Sequence, residues 1–191
     1  MYVAIEGIDC AGKTTQIEEL KKIYKEAVFT CEPGGTEVGE KIRQIALKDR
    51  LSALGRAFLF LADRAEHAEH ILSPNIDKLI ISDRSLISGV AYAWDDLPTE
   101  TAKTLNLLAT KQIAPNLAIL LELDEQTLQT RLARQRPDEI EKQGAKTLLA
   151  IQERFKDAAQ LLGVTLVPIN AVLPIEKIAE NIKELIDDYG A

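Results

Sequence analysis

The chain has 191 residues of which 46% are hydrophobic, enough for one large domain that buries roughly 70% of its unfolded surface, so disorder is not expected. With 23 Lys plus Arg against 30 Asp plus Glu the net charge is −7, which would repel a polyanion and disfavours nucleic acid as a partner. The start MYVAIEGID has no basic flank, and no segment approaches the roughly 20 apolar residues that span a bilayer, so a cytoplasmic protein with no membrane partner is predicted.

The first apolar run, residues 2–5, leads into GIDCAGKT from Gly7 to Thr14, and the helical pattern Gln16, Ile17, Leu20, Ile23, Tyr24 follows. The loop fits GxxxxGK[ST], and the strand–loop–helix order gives it meaning. Loop amides and the first helical turn point at an anion, Lys13 can neutralise outer phosphates, and the Thr14 hydroxyl can bind Mg²⁺. Two cysteines, Cys10 in the loop and Cys31 after the second run, are read as thiols rather than a disulfide.

Short apolar runs recur at 3–5, 27–30, 79–82, 117–123 and 164–169, each followed by an amphipathic stretch. Helices are predicted over 13–25, 36–48, 53–72, 86–94, 100–112, 125–135, 145–162 and 175–188. The alternation implies a parallel sheet covered by helices, in which ligands bind beyond the carboxyl ends of the strands. The residues just after each run are therefore the candidates for chemistry.

After the second run comes EPGGT, Glu32 to Thr36, which alone is also explained as a tight turn needing positive φ. The helix that follows the next turn carries FLFLADRAEH, residues 58–67, with Phe60 and Arg64 one turn apart. Such a pair can stack on a planar base while the guanidinium donates to a ring carbonyl, although a Phe on an amphipathic helix is as readily core. His67 and His70 lack a metal-site arrangement and read as a solvated helix face. DRS, Asp83 to Ser85, closes the third run. Its acid could hold the water shell of Mg²⁺ and its arginine an acceptor phosphate, with a helix cap as the plainer reading of the Asp. After the fourth run, TRLARQRPDEIEKQG (130–144) clusters Arg131, Arg134 and Arg136 on the phosphate side of an acidic protein, which predicts a lid rather than an ordinary charged surface.

These stations suit phosphoryl transfer. A hydroxyl acceptor usually requires a carboxylate base, whereas a phosphate monoester, already largely dianionic with a second pKa of about 6, requires arginines instead. Arg43, Arg64 and Arg84 on the acceptor side, with three more on the lid, suit a phosphate acceptor that carries a base.

Taken together, EGIDCAGKTTQ, EPGGTEVGEKIR (32–43), FLFLADRAEH, SDRSLISGVAYA (82–93), the short arginine lid and the late INAVLPIEKI make the chain resemble bacterial thymidylate kinase over essentially its whole length. The resemblance implies an α/β fold of the P-loop NTPase type, with a five-stranded parallel sheet and helices on both faces. It implies a single domain over 1–191 with a lid near 131–144. The implied activity is ATP-dependent, Mg²⁺-assisted, in-line conversion of dTMP to dTDP for dTTP synthesis, usually by a homodimer.

Carried onto this sequence, Gly7, Ile8, Asp9, Cys10, Ala11, Gly12, Lys13, Thr14 and Thr15 would cradle the ATP phosphates, with Arg131 near adenine. Lys13, Arg84, Arg134, Arg136 and Asp9 would be the catalytic set, and Thr14 and Asp83 would serve the metal. Glu32, Pro33, Arg43, Phe60, Arg64, Arg84, Ser88, Gly89 and Tyr92 would surround dTMP. Phe60 would stack on thymine, Arg64 would bond its ring oxygen, Tyr92 would lie where a 2′-hydroxyl projects, and Glu32 would help order Mg²⁺ or water. Many relatives carry a polar side chain at the position of Gly89 and a glutamine at that of Ala93, which leaves base reading here to Ser88, water or backbone groups. Cys10 stands where some relatives have an arginine, placing more of the charge work on the lid.

Overall fold

The computed structural model describes residues 1–133 and 144–190, and among them five apolar runs become strands: β1 (Tyr2–Glu6), β2 (Val28–Cys31), β3 (Ile80–Asp83), β4 (Leu117–Glu122) and β5 (Thr165–Asn170). They form one parallel sheet in the order β2-β3-β1-β4-β5. Parallel neighbours need crossover connections, and the helices supply them. These are α1 (Lys13–Ile23), α2 (Glu37–Lys48), α3 (Ala53–His67), α4 (Leu86–Tyr92), α5 (Thr99–Ala109), α6 (Glu125–Leu132), α7 (Ala145–Leu162) and α8 (Ile175–Gly190).

β1 lies at the centre, buried along its whole length, and β4 beside it is nearly so. That is why both read as unbroken apolar runs rather than alternating ones. The main core gathers Ile5, Ile8, Leu20, Ile87, Leu120, Phe155 and Ile182. Burying side chains of this size stabilises the fold by about 1.5–3 kcal/mol each. β1 connects toward β2 on one side while β4 connects toward β5 on the other, so a crevice opens beyond their carboxyl ends.

Local chemistry sets the helix starts. Thr36 accepts from Gly39 N at 2.9 Å, Ser52 from Gly55 N at 3.1 Å, Ser85 from Ile87 N at 3.2 Å and Asp124 from Thr127 N at 2.8 Å, each satisfying an otherwise unpaired first-turn amide. The predicted helix over 53–72 is divided: its α-helical part ends at His67 and residues Ala68–Leu72 form a π turn. Pro74 follows in a short 3-10 turn and cannot continue the hydrogen-bond ladder. The helix expected over 86–94 stops at Tyr92. Cys10 and Cys31 form no disulfide, and no helix among the described residues is long and apolar enough to cross a membrane.

Candidate active site

The loop between β1 and α1 is shaped by its glycines. Gly7 has φ 148°, and a Cβ there would lie 2.9 Å from Leu121 O on β4, so only glycine lets the loop pass this close to the sheet. Ile8 and Ala11 are buried and pin the loop from below. Lys13 is buried at the start of α1, where its Nζ donates to Gly7 O and Ile8 O, both at 3.0 Å. Burial, with Arg84 nearby, lowers its pKa to about 8. Thr14 and Thr15 are exposed in the first turn of α1. Arg131 reaches across from α6 to donate to Cys10 O at 2.9 Å and Ala171 O at 2.8 Å, tying the loop to the segment after β5.

Where β3 ends, Asp83 is followed by Arg84 with φ 72°, a left-handed conformation unusual for a side chain this long. Arg84 donates to Gly7 O at 3.1 Å and Asp9 Oδ1 at 2.5 Å, and more distantly to Ser88 Oγ and Tyr92 OH, each at 3.4 Å. Its guanidinium also stands 5.2 Å from the Tyr92 ring centroid. Burial opposes its charge, but Tyr92, Asp9, Asp83 and Glu6 more than offset that and raise its pKa. Tyr92, pushed up to about 12 chiefly by burial, stays a neutral phenol and packs nearly perpendicular to the Phe155 ring.

The far end is a buried polar chain. Glu32, at the end of β2, accepts from Arg64 Nε at 2.7 Å and bonds His67 Nδ1 at 2.8 Å, while His67 Nε2 meets Thr30 Oγ1 at 2.7 Å. Burial pushes the Glu32 carboxyl up, and Arg64 and His67 outweigh it, so its pKa is lowered. Arg64 continues to Asn106 Oδ1 at 2.6 Å and Ser85 O at 3.4 Å. His67 is thus fully buried in a network, not on the solvated face predicted for it, because α3 turns Asp63, Arg64 and His67 inward together. His70 is exposed, as expected. Each Glu32 oxygen already meets one side chain, so the carboxylate's first task is to hold Arg64 and His67 in place at the cavity wall.

Between these ends lies a cavity of about 390 Å³ lined by Glu32, Pro33, Arg43, Phe60, Arg64, Arg84, Ser88, Gly89 and Tyr92, together with Asp9. All the residues predicted to surround the acceptor are brought together there. Arg43 donates to Pro33 O at 2.8 Å, which ties the EPGGT turn to α2 at the cavity wall. Arg134 and Arg136 lie outside the described residues, as does most of the expected lid.

Two participants were not anticipated. Asn106, from α5, lines the cavity beside Arg64. Glu6, the last residue of β1, is buried and accepts from Ser85 Oγ and Ser88 Oγ, both at 2.6 Å. The signal for it was a carboxylate closing an otherwise apolar strand. Burial raises the Glu6 pKa from 4.5 to about 7, against the two serines and Arg84, which lower it. The folded state therefore holds this proton more tightly than the unfolded chain, and its stabilising contribution is lost as pH rises from about 4.5 to about 7. Glu6→Gln should remove that pH-dependent contribution, so the melting temperature of the variant relative to the native chain should be more favourable at pH 8 than at pH 5. A difference independent of pH would mean that Glu6 is solvated.

A family model described as thymidylate kinase matches residues 5–182. A thymidylate kinase from Helicobacter acinonychis (strain Sheeba) is 48% identical over 195 residues, covering 99% of this chain and 97% of that protein. One from Wolinella succinogenes is 49% identical over 181 residues, covering 93% and 94%. Among solved structures, thymidylate kinase from Ehrlichia chaffeensis superposes with a TM-score of 0.72 at 25% identity, covering 97% of this chain and 98% of that one.

Proposed function

Because this chain belongs to the thymidylate kinase family and accordingly phosphorylates dTMP to dTDP with ATP, we propose that the loop from Gly7 to Thr15 takes the ATP phosphates and the cavity takes dTMP. The observation that carries this division is a single cavity with Arg84 and Asp9 at the loop end and Phe60 and Arg64 at the other. Arg84, with Arg43, receives the acceptor phosphate. Asp9 is already ion-paired to Arg84, so it steadies that arginine and the sugar instead of acting as a base, and the acceptor phosphate needs none. Phe60 stacks on thymine, Arg64 donates to its ring oxygen, and Tyr92 borders the deoxyribose.

The donor set suits Mg²⁺. Thr14 offers an exposed hydroxyl and Asp83 a carboxylate close enough to Lys13 and Arg84 to act on both, and hard oxygen ligands of this kind favour that ion. Bound there, it would neutralise charge on the phosphate oxygens. Arg131 borders adenine, and Arg134 and Arg136 bring positive charge to the transferring group from a lid over 131–144. The whole chain acts as one cytoplasmic domain. A homodimer is supported by exposed Val38 and Ile45 on α2 beside exposed Leu54 and Phe58 on α3.

An acceptor panel of dTMP, dUMP, dCMP, ribothymidine monophosphate and thymidine tests the reading. One methyl group is worth about 1–3 kcal/mol, so dTMP should lead dUMP by roughly 10- to 200-fold, not absolutely. Tyr92→Ala should narrow the gap between dTMP and its ribose counterpart while leaving the preference over dUMP intact. The reverse outcome would move Tyr92 to the base, and preference for thymidine itself would remove the phosphate-acceptor reading.

A further inference from the structure

The base end of the cavity is closed by two side chains from different helices. Arg64 of α3 and Asn106 of α5 meet there through the 2.6 Å Nη1–Oδ1 hydrogen bond, and both line the cavity. Asn106 is almost wholly buried and its orientation is fixed from both sides: Nδ2 donates to Ala102 O at 2.7 Å while Oδ1 accepts from the guanidinium. A backbone carbonyl only accepts and a guanidinium only donates, so the opposite amide orientation would break both bonds. Oδ1 keeps a second lone pair, and Arg64 Nη1 keeps a second hydrogen.

Gly89 is what allows the pair to close. A Cβ at this position of α4 would run into both Asn106 Oδ1 and Arg64 Nη1 and sit 2.9 Å from Arg64 Cζ. The space that a side chain at 89 would occupy is instead filled from the opposite wall by Asn106.

We propose that Asn106 is a specificity-determining residue, which presents its oxygen beside the Arg64 N–H to read the imide edge of the acceptor base. An N–H donor next to an oxygen acceptor complements a ring carbonyl next to a ring N–H, the pattern of thymine and uracil. Cytosine offers an amino donor next to a bare ring nitrogen, so donor meets donor and acceptor meets acceptor, and buried groups are left unpaired. This assignment rests on the placement of the base at Phe60 and Arg64 proposed above.

The test compares kcat/KM for dTMP and dCMP in the native enzyme and in Asn106→Leu, Gly89→Ala and Arg64→Lys. Asn106→Leu and Gly89→Ala should each reduce the preference for dTMP over dCMP by about tenfold or more, raising KM for dTMP more than they lower kcat. Gly89→Ala disturbs the pair without altering α5, so it decides alone should Asn106→Leu not fold. A merely structural role for Asn106 would depress both acceptors alike, and an unchanged preference in the variants that fold overturns the assignment. Arg64→Lys separates the two levels. If it raises KM for dTMP while the preference is unchanged in the other variants, only the role of Asn106 falls. If it leaves KM for dTMP unaltered, the base site itself is misplaced and the inference falls with it.

Discussion

Lys13→Ala is expected to lower kcat by about 10²- to 10³-fold or more, the loss that follows removal of one preorganised donor from developing charge in a water-poor site, while leaving dTMP affinity nearly unaltered. The buried ammonium sits against the carbonyls of Gly7 and Ile8, inside the curve of the loop, where little else can replace its charge. Arg84→Ala should lose a comparable amount of activity for a different reason. It removes the cation proposed to meet the acceptor phosphate, and it also frees Asp9 and the Tyr92 ring from their shared partner. Equilibrium binding distinguishes the two: dTMP should bind poorly to Arg84→Ala and normally to Lys13→Ala. If Arg84→Ala retained dTMP and weakened ATP instead, the division of the site between donor and acceptor would be wrong.

Glu32→Ala should cost about 3–5 kcal/mol of stability, because it strips the countercharge from the buried Arg64 and removes the carboxylate that it shares with His67. Glu32→Gln, which keeps the shape and an oxygen for Arg64, should lose less. The effect has a pH signature. Since the Glu32 pKa is held below its ordinary value, its stabilisation is present above the unfolded carboxyl pKa and is lost as pH falls through the folded one. Denaturant unfolding of both variants at neutral and acid pH would show the gap to the native chain closing on acidification. A loss of only a few tenths of a kcal/mol at neutral pH, the range of ordinary surface substitutions, would indicate that water rather than Arg64 satisfies the carboxylate.

The middle of the sheet was legible because β1, β3 and β4 are buried on both faces and so stand out as short apolar runs between amphipathic stretches, while the partly exposed edge strands β2 and β5 were found from the alternation of runs and helices around them. Helix ends were less so. The overrun past His67 arose because Ala68, Ile71 and Leu72 continue an apolar pattern whose backbone has already widened into a π turn before Pro74. The phosphate loop and the DR pair were visible because spacing alone brings their chemistry together. Glu6 and His67 were harder to place, since polar residues inside an apolar run or on an amphipathic helix are ordinarily assigned to water. Asn106 left no signal: it sits 42 residues from Arg64, and only the packing of α5 against α3 joins them.

The position of β1 at the middle of the sheet has a consequence for how the chain is made. β1 needs neighbours on both edges, yet both follow it in the chain, β3 beginning at Ile80 and β4 at Leu117. At about 5–20 residues per second, roughly 4–15 s of synthesis separate the end of β1 from its first partner. During that interval an apolar strand with two unpaired edges is in the cell with no sheet to join, the condition under which strands recruit other chains. The phosphate loop that β1 carries is likewise translated well before Arg131 and Ala171, the residues through which its outer carbonyls are tied down. A nucleotide that needs the tied loop therefore has its full site only after α6 and the segment after β5 are in place, well after β1 itself has been made.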